Sequence, residues 1–157
     1  MKLGFLTVPF GDWLERIARW AKENGFEAVE VACWPAASGD ARRYAAVTHI
    51  DVDSVAERAD EIRSLLDGIG IEISGRGYYP NNLHPDPERR ASANEHTSKV
   101  IRAATRLGVP VVNTFVGRGY DGSNVIGHEG RRFEGSDEEL ATRGFCLARD
   151  VLRPYPV

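Results

Sequence analysis

Four short apolar runs mark the first 118 residues: Lys2–Val8, Phe26–Cys33, Ile71–Tyr79 and Val109–Val116. Each is the length of a buried β-strand and is bounded by turn residues. Between them the spacing of apolar positions changes to a helical one. Trp13, Leu14, Ile17, Trp20 and Ala21 predict a first helix that begins at Asp12 and ends at Gly25, with Asp12 and Glu15 placed as a capping box. Val55, Ala59, Ile62, Leu66 and Ile69 predict a second, from about Val52 to Asp67, with Ser54 and Glu57 as another such pair. Ala93, Val100, Ile101, Ala104 and Leu107 predict a third, opened by the cap Asp86 with Pro87 in its first turn, and closed by Gly108.

The order is therefore β-α-β-α-β-α-β, which calls for parallel strands with helices packed outside them. Polar and aromatic residues gather where the strands finish: Thr7, Glu30, Trp34, the segment Tyr78 to His84, Asn113 and Thr114. In a β/α barrel that rim is where chemistry sits. Two long connections, residues 34–51 and 80–87, lie on the same side, and long ordered loops are often functional. Four strands do not close a barrel, and a typical eight-unit barrel needs ~250 residues. After Gly117 the pattern stops. Seven of the sixteen glycines fall in the last 41 residues, so strand and helix periods are lost there. One short helix, about 137–152, is expected in this tail, with Ser136 and Glu139 near its start. The expected organisation is a β/α domain over 1–118 and an atypical tail over 119–157.

Composition narrows the function classes. A net charge of −3 gives no electrostatic reason to expect nucleic acid or an anionic membrane as partner. Two cysteines, Cys33 and Cys146, do not make a disulfide framework. The apolar N-terminus is too short for a signal peptide and is followed at once by Asp12 and Glu15. No stretch approaches the ~18 uncharged residues of a membrane span. A cytoplasmic protein is expected.

The candidate chemistry lies on the strand ends. Alternation along the second strand puts Ala28, Glu30 and Ala32 on one face, and the two small alanines leave room around the Glu30 carboxylate. Pointing into a barrel mouth, that carboxylate needs a partner or a ligand. Asn113 interrupts an apolar strand and needs hydrogen-bond partners of its own. Trp34 is placed either to floor a pocket or to shield the core. In Gly77-Tyr78-Tyr79-Pro80-Asn81-Asn82-Leu83-His84-Pro85-Asp86-Pro87, the asparagines suit sugar hydroxyls and the rings suit a sugar's apolar face; alternatively the asparagines bond their own turn. Of the four histidines, His49 and His84 lie on active-side loops, His96 falls on the third helix, and His128 fits no metal-ligand spacing. Gly75-Arg76-Gly77 and Gly117-Arg118-Gly119 are not dinucleotide fingerprints.

Glu30-Val31-Ala32-Cys33-Trp34-Pro35, the Tyr78–Pro87 segment and Val109-Pro110-Val111-Val112-Asn113-Thr114-Phe115-Val116-Gly117-Arg118 together resemble the xylose-isomerase-like TIM-barrel superfamily, nearest its sugar phosphate isomerase/epimerase branch. The resemblance covers 1–118. It implies an α/β fold, the N-terminal half of a (β/α)₈ barrel, and an enzyme that isomerises or epimerises a sugar or polyol. It further implies a divalent metal (Mn, Mg, Co or Zn) that polarises a carbonyl while carboxylates move the adjacent proton. In that family the metal ligands and catalytic glutamates follow strands five to eight. Glu129, Glu134, Glu138 and Glu139 do not stand at the end of an apolar run, so those roles are not carried onto them. What carries over is a substrate-binding set: Glu30, Trp34, Tyr79, Asn82, His84 and Asn113. The expected partner is a small sugar or polyol, with no nucleic acid and no membrane. Open edges at the first and fourth strands also predict a homo-oligomer. The tail is read either as a truncated or frameshifted member or as a short form that pairs with a second copy. An inosose-type dehydratase, a non-catalytic sugar-binding half-barrel and an abasic-site endonuclease are the alternatives; the negative charge and the few histidines speak against the last.

Overall fold

The computed structural model describes residues 1–35 and 48–117. The expected tail helix lies outside them. Seven elements follow in order: β1 (Gly4–Leu6), α1 (Leu14–Glu23), β2 (Ala28–Ala32), α2 (Val55–Ile69), β3 (Glu72–Gly77), α3 (Pro87–Leu107) and β4 (Val112–Asn113). The four strands form one sheet in the order β1-β2-β3-β4 with every neighbour parallel. This is the expected α/β arrangement, three successive β/α steps of a barrel followed by a fourth strand.

The chain divides into two compact units. Met1–Tyr78 with Lys99–Asn113 make the first, which holds the whole sheet. Its core lies between one sheet face and the helices. Val29 and Val31 of β2, with Cys33 just past it, join a cluster with Leu14, Ala18 and Ala21 of α1, Ile62 and Leu66 of α2, and Val100, Ala104 and Leu107 of α3. Burying aliphatic side chains of this kind stabilises by about 1.5–3 kcal/mol each. The described residues of the second unit fall in Tyr79–Ser98 and Thr114–Gly117.

Several local expectations change. Asp12 does not cap the first helix. The N-cap is Trp13 with no side-chain cap bond, because Asp12 Oδ1 accepts from the adjacent Trp13 N–H and Oδ2 pairs with Arg16. Trp13 is consequently 83% exposed rather than part of the buried stripe. Ser54 is the N-cap of α2, but its hydroxyl donates to Asp51 O instead of bonding the helix, and α2 starts later than expected. The β4 run is not buried throughout. Only Val112–Asn113 pair, and Val111, Phe115 and Val116 are exposed. In contrast, Asp86 does cap α3, with Oδ1 accepting from the Glu88 and Arg89 N–H groups, and Pro87 is its first residue.

Candidate functional site

Register decides which face each β2 residue uses. Leu6 pairs with Glu30, and Gly4 with Ala28. Gly4, Leu6, Ala28, Glu30, Glu72 and Ser74 line one concavity of about 430 Å³ together with Lys2 and Phe5. This is the face away from α1 and α2, the inner side of a barrel wall. The reading that Glu30 shares a face with Ala28 holds. Its carboxylate Oε2 accepts a 2.7 Å hydrogen bond from Asn113 Nδ2. The two polar residues that interrupt apolar strands are thus brought together, one from β2 and one from β4, both half-buried.

Trp34, just past β2, is partly buried against the core cluster and meets Tyr78 edge-on, with ring centroids 5.8 Å apart at 82°. Its carbonyl accepts from the Thr48 hydroxyl, and Cys33 forms an isolated antiparallel bridge with Thr48. The chain therefore returns to the end of β2 after residues 36–47, which lie outside the described set.

His49 is fixed by that return. Its backbone N–H donates to Ala32 O at 3.1 Å. Its ring Nε2 lies 3.0 Å from the Phe10 carbonyl, which can only accept, so Nε2 carries the proton. Nδ1 then accepts from the Thr7 hydroxyl at 2.8 Å, and Thr7 Oγ1 accepts from the Ala32 N–H at 2.9 Å. Burial pushes the imidazole below its ordinary value, opposed by hydrogen bonds to backbone at Phe10 and Asp12. With both ring nitrogens engaged, His49 acts as a neutral clamp between the ends of β1 and β2.

The opposite sheet face carries a residue that sequence reasoning missed. Arg76 pairs with Val31 in register and is completely buried. Its Nε and Nη2 donate to Cys33 Sγ at 3.1 and 3.0 Å, while Nη1 has no hydrogen-bond partner among the described residues. The Cys33 thiol is pushed up by burial, with the guanidinium charge and its hydrogen bonds pulling the other way. A charge in an apolar layer could have been flagged only by knowing the register of β3.

In the second unit, Asn82 is the centre of a small network. Its Nδ2 donates to Phe115 O at 2.7 Å and reaches Thr114 Oγ1 at 3.3 Å, and its Oδ1 accepts from the Thr97 hydroxyl at 3.2 Å. Asn81 Oδ1 accepts from the Leu83 N–H within its own turn. Gly117, at φ 108°, passes so close that a Cβ there would stand 2.5 Å from Asn81 Oδ1 and 2.7 Å from Asn82 N. Tyr79 packs on Phe115, with centroids 4.9 Å apart. His84 is buried and its Nδ1 accepts from the Asp86 N–H at 3.0 Å, while Arg90 donates to its carbonyl at 2.6 Å. Asn81 thus follows the reading in which an asparagine bonds its own turn, and Asn82 ties the loop after β3 to the segment after β4.

A family model described as xylose isomerase-like TIM barrel matches residues 18–153. The chain belongs to that family. The solved structures it resembles include a D-psicose 3-epimerase from Clostridium cellulolyticum H10, determined with D-tagatose, at TM-score 0.64 and 14% identity over 98% of this chain and 48% of that one. A probable 3-DHS dehydratase from Bacillus anthracis follows at TM-score 0.60 and 15% identity, covering 98% and 48%. A 3-keto-D-glucoside 4-epimerase from E. coli aligns at TM-score 0.56 and 16% identity, covering 98% and 52%. No curated protein matches the sequence. At such identities the structures speak for the xylose isomerase-like fold alone, and the chain spans about half the length of each of them. Among the described residues no three His, Cys, Asp or Glu side chains converge to hold a metal ion. Among the same residues no helix is long and apolar enough to cross a membrane.

Proposed function

We propose that this chain provides the substrate-holding half of a barrel that isomerises or epimerises a sugar or polyol. The observation that carries this reading is the Glu30 carboxylate, held by the Asn113 amide on the inner sheet face of a xylose isomerase-like barrel. A carboxylate has about four acceptor positions on its two oxygens, and hydrogen bonds to a charged group are the stronger kind, about 1.5–3 kcal/mol each. In the first unit Glu30 and Asn113 read hydroxyls, and Trp34 offers an apolar ring edge. Within the second unit, Asn82 sets the backbone of the loop that carries Tyr79 and His84, the remaining members of the expected binding set. These residues hold and orient the substrate. Proton transfer beside a carbonyl is assigned to carboxylates of the second barrel half, after strands five to eight, together with the divalent metal implied by the family resemblance. A dehydratase acting on a related polyol uses the same holding groups, and the Bacillus anthracis structure favours keeping that reading second.

The test is titration of the 157-residue chain with ketohexoses, inososes and their phosphates, with and without Mn²⁺, followed by calorimetry and by a turnover assay. Binding of at least one polyol is expected, weakened about tenfold or more by Glu30→Ala, the loss of one charge-assisted hydrogen bond. Little or no turnover is expected from this chain by itself. Affinity indifferent to Glu30→Ala would overturn the assignment.

A further inference from the structure

Glu30 and Asn113 are not on neighbouring strands. β3 runs between β2 and β4, and strands two apart are separated by roughly 10 Å. A direct 2.7 Å bond therefore requires the two side chains to meet above the β3 backbone. The residue beneath that crossing is Gly75, the register partner of Glu30. A Cβ at Gly75 would stand 3.1 Å from Asn113 Nδ2, and 3.5 Å from Val111 Cγ1. The first is too close for an ordinary contact; the second is normal.

Two further observations explain how glycine comes to lie there and why. Val29 pairs with Ile73, but Glu30 pairs with Gly75, so a bulge skips Ser74. Without that extra residue Ser74 would oppose Glu30 and its side chain would occupy the crossing. Nor does the backbone call for glycine, since Gly75 is not among the residues with positive φ. Only the side chain passing over it does.

We propose that Gly75 is the positioning residue for Glu30: by having no side chain, it lets the Asn113 amide span β3 and fix the carboxylate. The inference deepens the sugar-binding reading, but its structural half stands without it.

The experiment is a double-mutant cycle of Gly75→Ala and Asn113→Ala in the full chain. It is read by urea denaturation and, for Gly75→Ala, by the side-chain amide NMR signal of Asn113. Gly75→Ala is expected to shift that signal from its wild-type position and to lower the denaturation midpoint. In the Asn113→Ala background the same substitution is expected to be nearly silent. If Gly75→Ala alone fails to fold, the double variant is expected to fold, since the remaining neighbour, Val111, is at ordinary contact distance. Equal effects in both backgrounds, an unmoved amide signal, or failure of both variants to fold would each overturn the proposal. A ketohexose titration supplies the last arm. Loss of affinity in Gly75→Ala that matches Asn113→Ala, with no further loss in the double variant, supports positioning for substrate. Intact affinity beside a displaced amide keeps the positioning role and removes the sugar reading.

Discussion

The two faces of the β2–β4 sheet solve the same problem in opposite ways. On the helix side, Arg76 of β3 reaches Cys33 past the end of β2, and both are fully buried. On the inner side, Asn113 of β4 reaches Glu30 of β2, and both remain half-exposed. Each is a polar link between strands. The buried one is held by desolvation, since a buried guanidinium must keep whatever acceptor it has. The half-open one can exchange part of its hydration for a ligand. Position relative to the helices, more than residue type, separates the buried structural link from the one proposed for binding.

Three measurements break or sharpen that contrast. The largest effect belongs to the buried link. Cys33→Ala leaves two donors of a buried cation without an acceptor, in addition to Nη1, and should destabilise by at least about 2 kcal/mol in urea denaturation. A change below about 0.5 kcal/mol would mean that Arg76 is hydrated after all, and the contrast between faces would collapse. The His49 clamp is intermediate. Burial holds its imidazole below the ordinary value of about 6.5, so between those two values the unfolded chain binds more protons than the folded one. Its contribution is complete above about pH 6.5 and is lost as pH falls through the folded-state value. Denaturation midpoints measured from pH 7.5 downward should decline over that window, and His49→Gln should flatten the decline. The smallest effect is expected on the inner face. Glu30→Gln should alter stability by no more than about 0.5 kcal/mol, because the site is half-open and the amide of glutamine still accepts from Asn113. A cost as large as that of Cys33→Ala would recast the inner pair as structural.

Much of this was legible in the chain before any coordinates. The strand and helix order was written in the switch between two-residue and helical spacing. The Asp86-Pro87 start of α3 was legible because an N-cap is a local device whose partners lie two and three residues away. Glu30 and Asn113 could each be flagged as polar interruptions of apolar strands. Their pairing could not, because it depends on a one-residue bulge in a third strand and on a glycine beneath the crossing. Arg76 was hidden for a similar reason: it lies within the expected strand Ile71–Tyr79, but the bulge decides that it pairs with Val31 and faces the helices. The Asp12 and Glu15 spacing misled because Asp12 found nearer partners in Trp13 and Arg16. Where a residue's partner is local, sequence suffices; where the partner is set by register, it does not.

The bridge between Cys33 and Thr48 has a consequence for how such a scaffold diversifies. Both ends of the excursion after β2 are pinned, by the Thr48 bond to the Trp34 carbonyl on one side and by the His49 clamp on the other. Doubling the length of a loop with fixed ends costs only about 0.6 kcal/mol in closure entropy. A change in the length of the connection between Pro35 and Thr48 is therefore expected to cost little stability while the Trp34–Thr48 bond and the His49 clamp hold.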